Sequence, residues 1–454
     1  MPVTAAGRSH RLPDYNPRMR IVMWLLALAF VILPRGAAAQ TANPLAAQID
    51  RLTQELTAQV VTWRRDFHQH PELGNRELRT AKVIAEELKR LGYEVTTGVA
   101  HTGVVAVLRG GRPGPVVALR SDMDALPVTE QVDVPFKSTS KAEWNGQQVG
   151  VMHACGHDNH MAILLGAATI FARVKDQLPG SIKLIFQPAE EGPPAGEQGG
   201  AELMVKEGVL ENPKVDAVFG LHVFPMTAGA IEYRPGPLMA SADSFTILIK
   251  GRQTHGAVPW GGVDPIVIGA QIVMALQTIV SRTVNITEAP AVVTIGAFNG
   301  GNRFNIVPET VELQGTVRAF DESVRKDIQR RIRDIATKTA EAAGGTAEIT
   351  YGIGYPVTIN DPALTERMVP TLKRVAGADR VRVGPLTGTA EDFSFFQQKV
   401  PGMFFFLGVT PKDQDPKTAP QNHSPLFFAD ESALPVGVRA LTNLAIDYLY
   451  MQAK

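Results

Sequence analysis

Between residues 44 and 68 the apolar positions Leu45, Ile49, Leu52, Leu56, Val60 and Trp63 recur every three or four residues, which predicts a helix with one buried face. A second helix is predicted near 79–91, stopped by Gly92. The pattern then changes to short apolar runs, and "YEVTT", "GVVAVLRG" and "PVVALRSD" predict strands. "HMAILLGAATIFAR", 160–173, is too long and too rich in small residues for a strand and predicts a buried helix. "SIKLIFQPAEE" predicts a strand that runs into a polar turn, and "VDAVFGLHV" predicts another strand. Strands that are apolar throughout and alternate with helices predict an α/β core.

Residues 238–352 follow a different rhythm. "SFTILIKG" is a predicted strand, and "DPIVIGAQIVMALQTIVSR" a helix opened by Asp264 and Pro265. "AVVTIGAFN" and "TVELQGTVRAF" are strands, 323–343 an amphipathic helix ending at Gly344 and Gly345, and "AEITYGIGYP" a last strand. That order, β-α-β-β-α-β, is the ferredoxin-like unit, and it predicts a compact domain inserted into the first. The chain then returns through a helix over 362–376 to the segments "GTAEDF", "GMFFFLGV" and "NHSPLF". No internal repeat or low-complexity stretch interrupts it.

The N-terminus adds a targeting expectation. Arg18 and Arg20 precede the apolar run "IVMWLLALAFVIL", 21–33, and "PRGAAAQ" follows. A basic region, a short apolar core and an A-x-A-like end predict a secretory signal with cleavage after Ala39; the alternative is a retained anchor. Processing would leave residues 40–237 and 353–454 as two parts of one main domain around the insert, with no stable membrane span. It removes five arginines and one aspartate from a chain with 45 basic and 45 acidic residues, leaving 40 against 44. That balance, and the lack of a phosphate-cradling glycine loop leading into a helix, argue against a nucleic-acid partner. Export, periplasmic or secreted, sharpens the meaning of the single Cys155, which cannot form an internal disulfide.

Cys155 sits in "GVMHACGHDNHMA", together with three of the chain's ten histidines. A thiolate and an imidazole at Cys155 and His157 suit zinc and similar metals. "IFQPAEEG" places Glu190 and Glu191 where a strand ends, and strand ends are where α/β sheets bind ligands. His222 lies at another strand end and His423 in a loop. One cysteine, three histidines and one glutamate suffice for two metal ions sharing a bridging group, and the spare glutamate could move a proton. Read singly, each of these residues also fits an ordinary buried or solvated role.

Taken together, "RRDFHQHPELG", "ALRSDMDALPVTE", "MHACGHDNHMA", "QPAEEG", "GLHVFP", "HGAVPWGGVDPI", "FNGGNRFNIVPETVELQGTVR", "GTAEDFSFF" and "NHSPLF" resemble the aminoacylase/carboxypeptidase metallopeptidase family. The match is to its amidohydrolase branch, which holds hippurate hydrolase, N-acyl-L-amino acid amidohydrolases and auxin-conjugate hydrolases, and it covers roughly residues 48–450. The resemblance implies a zinc-peptidase-like catalytic domain with an inserted ferredoxin-like lid and dimerisation domain, hence a homodimer. It implies two divalent ions, zinc or manganese first and cobalt or nickel as alternatives. Cys155, His157, Glu191, His222 and His423 are the implied ligands and Glu190 the general base and acid. This chain has Asp122-Met-Asp124 where the wider family has a His-x-Asp motif, as its branch does; Asp124 is then a group that orients a ligand. His255, Asn305 and Arg318 match positions that relatives bring over the cleft. Arg318 suits a substrate carboxylate and His255 a developing oxyanion. His153 and His160 flank the ligands, and His160 is read as a structural or ligand-orienting group; His68 and His70 are read as structural, while His10 lies in the signal region and His101 has no motif around it.

The expected activity is hydrolysis of the amide bond of an N-acyl amino acid or small peptide. A dipeptidase or carboxypeptidase action, a non-catalytic metal-binding relative, and a cysteine hydrolase with Cys155 as nucleophile and His157 as base are the alternatives. A C-x-H spacing is poor for the last, since the base normally comes from a distant segment.

Overall fold

The predicted amphipathic stripes become α1 (Ala46–Gln69) and α2 (Leu78–Arg90), with Ile49, Phe67, Ile84 and Leu88 buried. The computed structural model describes residues 43–453, so the expected signal segment 1–39 lies outside the described residues. Strands β1 (Glu94–Val99), β2 (Gly103–Arg109) and β3 (Arg112–Asp122) follow as the apolar runs predict. A small hairpin, β4 (Lys141–Trp144) and β5 (Gln147–Gly150), was not anticipated; its residues are largely solvated and carry no apolar alternation. Helix α3 spans His157–Val174 and begins three residues before the expected 160. Gly156, at φ 91°, is its left-handed N-cap, and an added Cβ there would meet Val223 Cγ2 at 2.4 Å. Cys155 and His157 are thus joined by a turn at a helix start.

Next come β6 (Pro179–Gln187), α4 (Gly200–Lys206), β7 (Ala217–Thr227), β8 (Ile231–Tyr233) and β9 (Gly236–Met239). The insert contributes β10 (Asp243–Lys250), β11 (Thr254–His255), α5 (Pro265–Thr278), β12 (Ala291–Gly300), β13 (Ile306–Val307), β14 (Thr310–Ala319), α6 (Glu322–Ala342) and β15 (Thr346–Ile353). Asp264 caps α5 by accepting from the N–H groups of Ile266 and Val267, as the Asp-Pro start signal implies. Its sheet order, β12-β14-β10-β15, is the ferredoxin-like one, and Ile247, Ile272, Leu313 and Ile332 bury a core separate from the large sheet's. The chain returns through β16 (Thr358–Asn360), α7 (Pro362–Ala376), β17 (Val381–Val383), α8 (Ser394–Gln397), β18 (Gly402–Thr410) and α9 (Leu434–Gln452).

The large sheet has eight strands in the order β1-β2-β6-β3-β7-β18-β8-β17. Its central four, β6, β3, β7 and β18, run parallel. Their carboxyl ends therefore share one edge, the place where an open α/β sheet forms its binding crevice. Helices α1, α3, α7 and α9 pack against one another over this sheet. Leu164, Phe171, Leu441 and Leu444 are fully or nearly fully buried in that layer, so the crevice stands on a rigid base.

Candidate metal centre

The expected ligands arrive on different elements: Glu190 and Glu191 lie in the turn after β6, Cys155 and His157 at the start of α3, and His423 in the loop after β18. His222 does not lie at the strand end expected for it but midway along β7, just past Gly220, where the pairing with β3 stops. Cys155 Sγ is 3.3 Å from His222 Nε2 and 3.3 Å from His423 Nε2. His423 Nε2 is 3.0 Å from Glu191 Oε1, and His157 Nε2 is 3.8 Å from Glu190 Oε2. Cys155, Glu190, Glu191, His222 and His423, with Phe224, Met239, Tyr355 and Glu391 among the walls, line a cavity of about 200 Å³, while His157 is fully buried and not among its walls. His423 stands at the rim with φ 71°, a strained backbone for a non-glycine residue. Its N–H donates to Ala154 O at 2.8 Å, and Asn422 Nδ2 donates to Cys155 O at 3.0 Å, which ties this loop to the cysteine turn.

The second nitrogens of His157 and His222 are already used. His157 Nδ1 donates to Asp124 O at 2.8 Å and stands 3.2 Å from Asp124 Oδ1, which leaves Nε2 as the free donor atom; it is buried without a hydrogen-bond partner. His222 Nδ1 donates to Val223 O at 2.7 Å, so its Nε2 faces Cys155. Asp124 Oδ2 accepts from the N–H of Glu191 at 2.9 Å. Asp124 thus touches the groups beside two expected ligands, His157 and Glu191.

His160 has no spare nitrogen: Nδ1 is 2.6 Å from Asp122 Oδ1, and Nε2 accepts from Val223 N–H at 2.8 Å. His68 bridges Asp158 and Glu130 in the interior, and His70 is exposed and held to Asp66 O. His153 is buried with both ring nitrogens unpaired, and burial, first among its influences, pushes its pKa down to about 3.

Electrostatics at the centre call for positive charge. The walls carry the carboxyl groups of Glu190, Glu191 and Glu391, and among the described residues no lysine or arginine lines the cavity. Burial pushes Glu190 well above the usual carboxylate range, and Glu391 and Glu191 push it further. Burial likewise raises the Cys155 thiol, with Glu191 and Glu190 adding to the effect. For His157, burial works to lower the pKa, but Asp122 and Asp124 outweigh it and hold the imidazole up to about 10. An acid-rich pocket with a thiol, three imidazole nitrogens turned inward and an orphaned buried Nε2 fits a pair of divalent cations.

Three expected site residues stand apart. His255 is exposed on β11, its Nδ1 accepting from Ala257 N–H at 3.0 Å. The β11–β13 pairing, with Gly256 N–H donating to Asn305 O at 2.8 Å, brings it beside Asn305. Arg318 is half-buried on β14 and donates to Thr316 Oγ1 and Val317 O at 2.6 and 3.0 Å. None of the three lines the cavity within one chain, because all belong to the insert.

One layer beneath the centre had been given no role from the sequence. Arg120 is buried and donates to Asp122 Oδ2, Gln187 Oε1 and Asp392 Oδ1 at 2.7, 2.8 and 2.9 Å, and it is 2.9 Å from Glu391 Oε1. The available signal was an arginine inside the apolar run "PVVALRSD" and an adjacent acid pair in "GTAEDF". A buried charge needs partners, and those were the candidates.

Comparison with known proteins adds to this geometry. Residues 118–447 match the peptidase family M20/M25/M40. Thermostable carboxypeptidase 2 of Saccharolobus solfataricus is 41% identical over 400 residues, which cover 87% of this chain and 96% of that protein. N-acyl-L-amino acid amidohydrolase of Geobacillus stearothermophilus is 43% identical over 314 residues, covering 69% and 81%. The crystal structure of the Bacillus subtilis YXEP protein, a dinuclear metal binding peptidase from the M20 family, superposes with a TM-score of 0.72 at 33% identity, covering 87% and 99%.

Proposed function

The chain belongs to peptidase family M20/M25/M40 and is a hydrolase of amide bonds, and from that premise we propose that it cleaves N-acyl amino acids of the hippurate type, or small peptides, with two divalent cations. The observation that carries the reading is the convergence of Cys155, His157, Glu191, His222 and His423 on one acid-rich cavity beside Glu190. Cys155, His157, Glu191, His222 and His423 would hold the ions, zinc or manganese before cobalt or nickel. Bound there, such ions polarise a carbonyl and make water a stronger nucleophile near neutral pH.

The remaining work falls to the chain's own groups. Glu190 takes a proton from the attacking water and returns it to the departing nitrogen. Asp124 fixes the tautomer and direction of His157 and holds the backbone beside Glu191. His255 donates to the developing oxyanion, Arg318 clamps the substrate carboxylate by two parallel hydrogen bonds, and Asn305 contacts the substrate. Since one chain leaves these three outside its cavity, we assign them to the cavity of a second copy, in a homodimer built through the insert.

A carboxypeptidase or dipeptidase action is the second reading, favoured by the similarity to a thermostable carboxypeptidase. Assays of N-acyl amino acids against dipeptides, each with zinc, manganese, cobalt and nickel, separate the two. Turnover in the presence of excess chelator would overturn both. Export, with the mature chain starting at Gln40, is proposed from the N-terminal pattern alone.

A further inference from the structure

Glu190 and Glu191 share one peptide plane, and both ends of that plane are held. Tyr355 Oη donates to the carbonyl oxygen of Glu190 at 2.6 Å. The N–H of Glu191 donates to Asp124 Oδ2 at 2.9 Å. Holding both ends of a planar peptide unit fixes ψ of the residue before it and φ of the residue after it, two of the soft backbone torsions that set how the chain, and with it each side chain, leaves the turn. Here those side chains are the proposed base and a proposed ligand. The turn is not self-supporting, because Ala189 sits at φ 50°, where side-chain-bearing residues are rare; its N–H is pinned to Glu77 Oε1 at 2.9 Å.

Tyr355 comes from a distant part of the chain. It lies just after β15, on the segment that returns from the insert to the large sheet. Its carbonyl accepts from Ala242 N–H at 3.0 Å, on the outgoing segment. The neighbouring Gly354 N–H donates to Asp243 Oδ1 at 3.0 Å, and Asp243 Oδ2 accepts from Arg325 Nε at 2.9 Å. Both connections to the insert are therefore tied together beside the tyrosine. Its ring stands edge-on to Phe395, 6.3 Å between centroids, and lines the cavity with the ligand set.

We propose that Tyr355 is a positioning residue for amide hydrolysis: its hydroxyl locks the Glu190–Glu191 peptide plane, and its place on the connection couples the insert's position to the direction of the base. The inference rests on the reading of Glu190 as base. The test uses the full chain with Tyr355→Phe, which keeps the ring and loses one hydrogen bond. With N-acyl substrate, kcat should fall about tenfold, the scale of one lost hydrogen bond, while KM moves much less. Hydrogen exchange of the metal-free protein gives a readout independent of turnover: the Glu191 amide should exchange faster, with α3 unchanged. In a Glu190→Gln background, adding Tyr355→Phe should lower kcat no further. Unchanged exchange over 188–192, or the full loss repeated in that background, overturns the proposal. If Tyr355→Phe loses its cooperative unfolding transition, Tyr355→Met, flexible enough to fill the ring site, carries the same three measurements. Wild-type turnover by Glu190→Gln alone would instead overturn the reading of the base.

Discussion

Adjacent carboxylates can hold different jobs in one site, and substitution separates those jobs at Glu190 and Glu191, both of which line the cavity. Glu190→Gln keeps shape but cannot take a proton, so kcat should drop at least ~10²-fold with metal content near wild type. Glu191→Gln should instead lower metal occupancy, read by elemental analysis of the purified proteins. The opposite pattern reverses the assignment. Cys155→Ser should weaken metal binding, since a hydroxyl stays protonated where a thiol ionises on a cation. Competition with a calibrated chelator measures this, and wild-type affinity in Cys155→Ser would remove the cysteine from the ligand set. The residues of the centre were legible as a set through the motifs that carry the family resemblance; strand-end position alone marked Glu190 and Glu191 after β6, while His222 proved to lie midway along β7. Tyr355 and Arg120 were not, because their roles depend on which distant segments meet them, and no local spacing records that.

At the scale of elements, α1, α3 and the loop carrying Glu130 meet on His68. Its Nδ1 is 2.8 Å from Asp158 Oδ2 and its Nε2 3.0 Å from Glu130 Oε1, while Arg64 Nε is 2.9 Å from Asp158 Oδ2. Only a doubly protonated ring can donate to both carboxylates. Burial works to lower the pKa of His68, but Asp158 and Glu130 outweigh it and raise it above the ordinary histidine value. A raised folded pKa contributes stability that is fully present below the unfolded value of about 6.5 and lost as pH climbs through the folded one. His68→Gln should therefore cost more stability at pH 6 than at pH 9 in urea unfolding. An equal or larger cost at pH 9 would show that the neutral ring does the holding. The four long strands and two helices of the insert were readable from periodicity, down to the Asp264 cap of α5, while the two-residue strands β11 and β13 were not. The start of α3 was misplaced by three residues because its first turn is polar, with His157, Asp158 and Asn159 all buried by tertiary contacts. Helix α9 was not anticipated: "ALTNLAIDYLY" is apolar around most of its circumference, so it lacks a clear stripe.

For the whole molecule the open matters are where it acts and how many copies act together. Export predicts that protein recovered from a periplasmic or secreted fraction begins near Gln40; an intact Met1 there would reject cleavage. The insert leaves apolar side chains in solvent: Val267 and Met274 of α5, Val292 and Phe298 of β12, and Trp260 and Phe304 next to the β11–β13 pair. Such exposure on a helix face and the adjoining edge strand fits association with a second copy. The chemistry supplies an independent reason for two copies. The acid-rich cavity lies in one part of the chain, while His255, Asn305 and Arg318 stand outside it on the insert. If they serve the partner's cavity, two chains defective at different places can complement each other. Chains carrying His255→Ala are mixed with chains carrying Glu190→Gln under conditions that exchange subunits. A mixed dimer then holds one cavity with an intact Glu190 and an intact His255 supplied from across the interface. Random mixing makes about half of the dimers mixed, each with one complete site, so activity should recover to about a quarter of wild type. Recovery above either parent establishes the shared site. No recovery in dimers proven to be mixed by mass measurement would show that His255 serves its own subunit, which would require the insert to close over its own cavity.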